Sequence, residues 1–131
     1  MSVPRGNILR DTTPIPVDGI PGRFRVDVGE AWRILYAFGG MTMACALAAA
    51  EAELDRPELQ LVTAEATFCQ AIPVGPCALQ VEVLRASKAG AQCHVRMWAT
   101  DDPTGPVGND LVVTTVFGTA RPEWWSFDGL A

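Results

Sequence analysis

Apolar and polar residues alternate with a period of two in several short segments, which is the pattern of β-strands that bury one face. The pattern first appears at residues 24–28. The later segments that read as strands are 59–72, 79–85, 92–99 and 111–119. Short links rich in proline, glycine and aspartate separate these segments, and links of this length join antiparallel neighbours. The second half of the chain is therefore predicted to form an antiparallel sheet.

One segment, from Met41 to about Leu54, has a different pattern. It consists of strong helix formers and has no β-branched residue after Thr42, so it predicts a helix of roughly 21 Å. From 43 to 50 it is apolar on every side, and carboxylates follow only at its end. Such a helix is buried on most of its surface. We therefore expect an α+β fold in which one curved antiparallel sheet wraps around one central helix.

Composition divides the chain into an arm, a domain and a tail. Residues 1–22 contain four prolines and three glycines, so we expect an irregular N-terminal arm. Residues 23–121 form the single domain that 131 residues can supply. Residues 122–131 include Trp124, Trp125 and Phe127. We expect this aromatic C-terminal tail to fold back on the domain or on its partner.

The polarity of individual strands predicts their places in the sheet. Residues 92–99 alternate cleanly, which suggests a peripheral strand, whereas 111–113 are apolar on both sides, which suggests a central one. A sheet of this kind leaves an open edge that a second copy can cover. A homodimer is therefore the smallest assembly that we expect.

Charge and cysteine usage exclude several classes of partner. The formal net charge is -5 and the pI is near 4.7, which disfavours nucleic acid and anionic membranes. The four cysteines lie in apolar runs without metal-ligand spacing, so we expect small buried side chains and no metal. No apolar run is long enough to span a bilayer. These features predict a cytoplasmic protein that needs no metal or other cofactor.

Three segments carry a resemblance to a known family. The run LYAFGGMTMA at 35–44 resembles the helix entrance of the type II acyl-CoA thioesterases, and VTAEATF at 62–68, closed by Pro73 and Gly75, resembles their second strand. The segment VEVLR at 81–85, followed by SKAG, is similar to a third motif of that family. The resemblance covers about 22–122. It implies a single hot-dog domain and an acyl thioester, carried by coenzyme A or by a carrier protein, as the substrate.

The glycine pair before the helix supplies the first candidate chemistry. Backbone N–H groups at a helix N-terminus lack intrahelical acceptors and lie at the positive end of the helix dipole. Glycine lets a substrate approach that backbone closely. We therefore predict that the amide of Gly40 or Met41 binds the thioester oxyanion. The acyl tunnel is expected to lie between subunits and to be lined by Phe38, Met41, Met43 and Phe68, with Gly39 as a further substrate-binding residue.

Glu65 is the candidate for activating water. Alternation places Leu61, Thr63, Glu65 and Thr67 on one face of the strand. The resemblance implies that Glu65 occupies the position of the family's catalytic aspartate. Partial burial would raise the pKa of such a carboxylate toward the range that suits a general base. Arg85 with Lys88 is the candidate contact for the phosphates of coenzyme A.

Two other functions remain open from the sequence. The family's hydroxyl position is occupied by Arg85, and its glutamine position falls at Val116–Phe117. A non-catalytic acyl-binding protein or partner subunit is therefore the alternative to a thioesterase. A hot-dog dehydratase or other lyase is the third reading, although His94, the only histidine, lies in no motif of that kind.

Overall fold

A sixteen-residue helix lies against one face of a six-stranded antiparallel sheet. The structure, a computed structural model, describes residues 7–33, 37 and 39–119. Its α-helices and β-strands are α1 (Ile8–Asp11), β1 (Ile15–Pro16), β2 (Arg23–Val28), α2 (Gly39–Leu54), β3 (Leu59–Phe68), β4 (Gly75–Ala86), β5 (Gly90–Ala99) and β6 (Leu111–Thr119), and a short 3-10 helix spans Glu30–Trp32. The predicted α+β architecture is confirmed.

The strand order across the sheet is β1-β2-β4-β5-β6-β3. The predicted position of β6 inside the sheet is correct, since β5 and β3 flank it. The prediction that β5 is peripheral is wrong, because β4 and β6 pair with its two sides. Its clean alternation arises because one face packs on the helix and the other faces outward, which also happens in a central antiparallel strand. The edge strand on that side of the sheet is β3.

The helix α2 packs one flank into the core. Six of its residues are buried, namely Met41, Thr42, Cys45, Ala46, Ala49 and Ala50. Met43, Ala44, Leu47 and Ala48 are only half-buried, so burial on every side, as predicted, is not complete within one chain. Among the described residues, no helix is long and apolar enough to cross a membrane.

The helix-facing side of the sheet supplies the rest of the core. Each of the four longest paired strands contributes apolar side chains, including Leu79, Val95, Met97, Leu111 and Val113, all at most 1% exposed. Small helix residues let the sheet approach α2 closely, so most of the apolar area is buried between these two layers. This packing fixes the position of the N-terminal end of α2 relative to β3 and β6.

The edge strand β3 differs from its prediction in length and register. It ends at Phe68 rather than at Ile72. A bulge between Leu61 and Thr63 shifts the register against β6, and therefore Leu61 pairs with buried Phe117 instead of following Thr63 on the outer face. Much of β3 is open, since Val62 is 50% and Phe68 55% exposed.

The N-terminal arm is more ordered than predicted. It contains α1 and the short strand β1, which pairs with β2. The side chain of Asp11 accepts a hydrogen bond from Trp32 Nε1 at 2.9 Å. Bonds to Asp11 from the Arg10 side chain, the Asn7 backbone and Trp32 hold the pKa of its carboxyl well below the ordinary range. These contacts attach the arm to the segment that leads into α2.

Gly22 provides a test of how the arm joins the sheet. Its φ is +74°, and a Cβ at this position would overlap the carbonyl oxygen of Val81. Gly19 also has positive φ, at +83°, but a Cβ there would meet nothing within 4 Å. We expect Gly19→Ala to lower the free energy of unfolding by about 1 kcal/mol through backbone strain alone. Gly22→Ala should lower it further, because the β4 backbone must also move. Urea unfolding measures both, and equal losses would contradict this interpretation.

Candidate functional site

The N-terminus of α2 and the C-terminal end of β3 meet at one corner of the molecule. A Cβ placed on Gly39 would lie 3.3 Å from both Cε1 and Cζ of Phe68. This contact is tighter than ordinary packing, so glycine allows the ring to lie against the helix backbone. The amide of Ala37 donates to the carbonyl oxygen of Ile72 at 2.8 Å, which ties the chain before α2 to the chain after β3. We call Gly39, Gly40 and Phe68 the entrance corner.

The glycine pair belongs to the helix itself. The sequence suggested a flexible pair before a helix starting at Met41, but α2 begins at Gly39. The first amides of an α-helix, here including those of Gly39, Gly40 and Met41, have no intrahelical acceptor. Gly40 is exposed, and the positive end of the helix dipole lies at this corner. The entrance corner is thus suited to receive a carbonyl oxygen that gains negative charge.

The predicted tunnel residues differ in where they lie. Phe68 is at the entrance corner, as described. Met41 is completely buried in the core, so its side chain cannot line an open tunnel, although its amide is in the first turn. Met43 is half-buried. Phe38 lies outside the described residues.

Glu65 lies on the face of the sheet that points away from α2. Its neighbours Ala64 and Ala66 pack toward the core, so alternation turns the Glu65 side chain outward. It is exposed, as is its cross-strand partner Thr114. Glu65 is therefore not partly buried within one chain, and it does not join the entrance corner there. Its role in activating water stays a prediction.

The cations proposed for phosphate binding lie at the opposite end of the sheet from the entrance corner. Arg85 pairs with Gln92 of β5. Gln92 lies five residues from Met97, which is at the entrance-corner end of β5. There Met97 pairs with Leu111, and Leu111 pairs with Phe68. Five strand residues span about 17 Å. Arg85 borders a cavity of about 280 Å³, and exposed Lys88 follows in the next turn.

Another arginine is unsuited to bind phosphate. Arg23 is only 6% exposed. Its guanidinium donates to Gln80 Oε1 and to the carbonyl oxygens of Pro103 and Gly105, each at 2.8 Å, and lies 5.1 Å from the ring centroid of Trp98. These contacts hold the loop between β5 and β6 against the outer face of the sheet. Arg23 is therefore structural.

A cavity of about 910 Å³ lies beside the C-terminal end of α2. Sequence reasoning did not find it. Its walls come from the arm, the end of the helix, the start of β3 and β6, including Thr12, Pro14, Ala48, Glu51, Ala52, Asp55, Leu59, Leu61 and Phe117. The bulge in β3 directs Leu61 toward it, and no local pattern in the sequence signals that bulge. The lining combines apolar side chains with the carboxylates Glu51 and Asp55 and with Arg56.

Three of the four cysteines are buried, as predicted, whereas Cys69 is exposed. Burial raises the pKa of Cys45 and of Cys77 to about 12, and it also raises the pKa of Cys93. These thiols are protonated at neutral pH and are poor nucleophiles. Within the described part of the chain, no group of three His, Cys, Asp or Glu side chains is placed to hold a metal ion.

The entrance corner and the fold agree with a family assignment. Residues 28–120 match the family described as acyl-CoA thioesterase N-terminal domain. This match covers most of the chain, and the protein therefore belongs to that family. No curated protein matches the chain.

Solved structures show that the fold is a hot-dog fold. A Thermobifida fusca protein provisionally assigned as a thioesterase II superposes with a TM-score of 0.73 at 21% identity, covering 92% of this chain and 42% of that one. An Alicyclobacillus acidocaldarius protein of unknown function with a hot-dog fold gives 0.72 at 24%, covering 89% and 41%. This chain thus spans about two fifths of their length. A Bacillus halodurans protein in a structure with CoA gives 0.69 at 10%, covering 85% and 75%.

The buried thiols predict a loss of stability at alkaline pH. Unfolding would restore an ordinary pKa near 9 to Cys45 and Cys77. Because the folded pKa values are raised, the unfolded chain releases protons first. The free energy of unfolding should therefore be undiminished below about pH 8.5 and should fall as the pH rises from there toward 12.

Urea unfolding between pH 7 and pH 10 measures this effect. The matched control is Cys45→Ala with Cys77→Ala, which removes both thiols while other groups titrate as before. The wild type should lose more stability with rising pH than the double variant. Parallel profiles would show that these thiols are not responsible.

Proposed function

We propose that this protein, as a pair of hot-dog units, hydrolyses the thioester of an acyl-CoA or of an acylated carrier protein to the free acid and the thiol. The observation that carries the proposal is the entrance corner, in a chain that belongs to an acyl-CoA thioesterase family. At the start of α2, exposed Gly40 follows Gly39, which lies against an aromatic ring that can pack on an acyl group.

The entrance corner supports a specific role for the backbone in this reaction. Attack of water on the thioester carbonyl carbon moves negative charge onto the carbonyl oxygen. The amide of Gly40 or Met41 would donate to that oxygen, and the helix dipole would favour the charge. Loss of one such donor typically lowers the rate by about 10²–10³. The thiolate then leaves and takes up a proton.

Pairing through β3 would complete the site. The exposed β3 edge carries apolar side chains, and long edges of this kind associate. The entrance corner lies at the Phe68 end of β3, and the cavity of about 910 Å³ lies at the Leu59 end. Antiparallel pairing of two β3 strands would bring the corner of one copy beside the cavity of the other. The cations of one copy would then lie at the same end of the combined sheet as the corner of the other, with the phosphates of coenzyme A as their proposed ligands.

The Bacillus halodurans structure with CoA supports coenzyme A as the carrier of the acyl group. At 10% identity, that protein is similar to this chain in fold alone. The assignment of Arg85 and Lys88 to phosphate contacts therefore rests on their own charge and exposure. An acylated carrier protein would present the same thioester and one phosphate.

The outward position of Glu65 favours a second candidate function. A chain whose carboxylate does not reach the entrance corner could bind acyl thioesters without cleaving them. Such a protein would gain thermal stability from acyl-CoA while releasing no thiol. A catalyst shows thiol release, so one assay separates the two functions.

One prediction from the proposed function concerns Glu65. Thiol release from short, medium, aromatic and long acyl-CoAs should fall by about 10²-fold or more in kcat in Glu65→Gln if Glu65 activates water. Glu82→Gln is the matched control, because Glu82 is an exposed carboxylate on the same outer face and loses the same charge.

The outcomes assign the function. Equal activity in wild type and Glu65→Gln would support thioester hydrolysis as the function and would exclude Glu65 from its mechanism. No thiol release from folded wild-type protein, together with a raised melting temperature in acyl-CoA, would establish the binding protein instead.

Another prediction from the proposed function concerns the β3 edge. We expect a homodimer in sedimentation experiments, weakened by about tenfold or more in Kd by Val62→Lys, since lysine on an edge strand opposes pairing. Leu84→Lys is the control, because Leu84 is 53% exposed on β4, away from that edge. Similar dissociation in both variants, or a wild-type monomer, would contradict pairing through β3.

A further inference from the structure

The side chain of Thr42 is buried in the first turn of α2 and is 1% exposed. Its hydroxyl donates to the carbonyl oxygen of Gly39, with an Oγ1 to O distance of 3.0 Å. In an α-helix, the amide of residue 43 donates to the same carbonyl. The Gly39 carbonyl is thus at the centre of the first turn and is directed into the helix.

The direction of that carbonyl determines the direction of the Gly40 amide. The two groups belong to one planar peptide unit, and in a trans peptide the C=O and the N–H point in opposite directions. No cis peptide bond occurs in the described part of the chain. Because the carbonyl points along the helix toward Thr42, the Gly40 N–H points back out of the helix start. This is the direction in which the proposed thioester oxygen lies.

The peptide between Gly39 and Gly40 needs such a restraint more than other peptides do. Glycine on both sides gives it little steric resistance to rotation. A flip would turn the amide away and would present the carbonyl oxygen to the thioester, where it would repel the developing negative charge. The same flip would also remove the acceptor of the buried Thr42 hydroxyl, which is unfavourable.

We propose that Thr42 is a positioning residue that holds the Gly39–Gly40 peptide with its N–H toward the substrate. This inference rests on the proposed function at the entrance corner. Thr42 does not touch the thioester, and it acts through the peptide plane. A threonine hydroxyl often bonds to a carbonyl three or four residues earlier in a helix, so the test must separate positioning from a stabilising role alone.

The chain offers a matched control for that separation. Thr115 is 0% exposed, and its hydroxyl donates to the carbonyl oxygen of Cys93 at 3.3 Å. It lies on β6, away from the entrance corner. Thr115→Val and Thr42→Val therefore remove the same kind of buried hydrogen bond, and only the second bond orients the proposed donor.

The kinetic experiment compares Thr42→Val, Thr42→Ser and Thr115→Val. We expect Thr42→Val to lower kcat for thiol release by about tenfold with KM changed by less than about twofold, because the donor matters most in the transition state. Thr42→Ser keeps the hydroxyl and should restore kcat. Thr115→Val should lose stability and keep the wild-type kcat. Thr42→Ala, which favours helix, replaces Thr42→Val should the latter not fold.

A second measurement does not depend on turnover. The ¹⁵N amide signals of Gly40 and Met41 should show microsecond to millisecond exchange in Thr42→Val, and none in the wild type, in Thr42→Ser or in Thr115→Val. Unchanged Gly40 and Met41 signals in Thr42→Val would overturn the inference, whether or not the protein hydrolyses acyl-CoA. So would an active wild type whose kcat is unaffected by Thr42→Val. An inactive wild type with the expected exchange would contradict the proposed reaction and keep the positioning role.

Discussion

The need to bury α2 determines the rest of the structure. The helix is made of small and apolar residues along its first three turns, and five of them, Met41, Cys45, Ala46, Ala49 and Ala50, have no exposed surface. A helix with so little polar surface is stable only when other elements cover it. The sheet covers one flank of α2 directly, and its small side chains let the strands approach closely. The entrance corner exists because this packing fixes where the helix begins.

Local patterns predicted those parts of the fold that local physics controls. The helix was expected from its composition, and β6 has the predicted bounds, because the turn residues before it mark where it begins. The apolar run after Phe68 extended the prediction for β3 too far. There the amides of Cys69 and Gln70 both donate to the carbonyl oxygen of Asp110, so the chain leaves the strand through a contact that is distant in sequence.

The errors at the candidate site have the same origin. The bulge at 61–63 and the central place of β5 depend on partners across the sheet, which alternation within one strand does not reveal. Glu65 was assigned partial burial from the apolar residues around it, but those residues face the helix and Glu65 faces outward. The glycine pair and Phe68 were singled out by sequence. Their mutual contact, and the hydrogen bond from Thr42, required the three-dimensional structure.

The open β3 edge and the entrance corner belong to one incompletely covered surface. The helix packs mainly on β4, β5 and β6, and the helix-facing side of β3 is covered only in part, with Ala64 and Ala66 half-buried and Phe68 largely exposed. A single unit therefore leaves apolar surface and the exposed backbone of Gly40 at the same corner. Any partner that covers β3 also encloses this corner and excludes water from it, which strengthens each electrostatic contact there. In the proposed function, association and thioester chemistry would accordingly be coupled, since the same strand would control both.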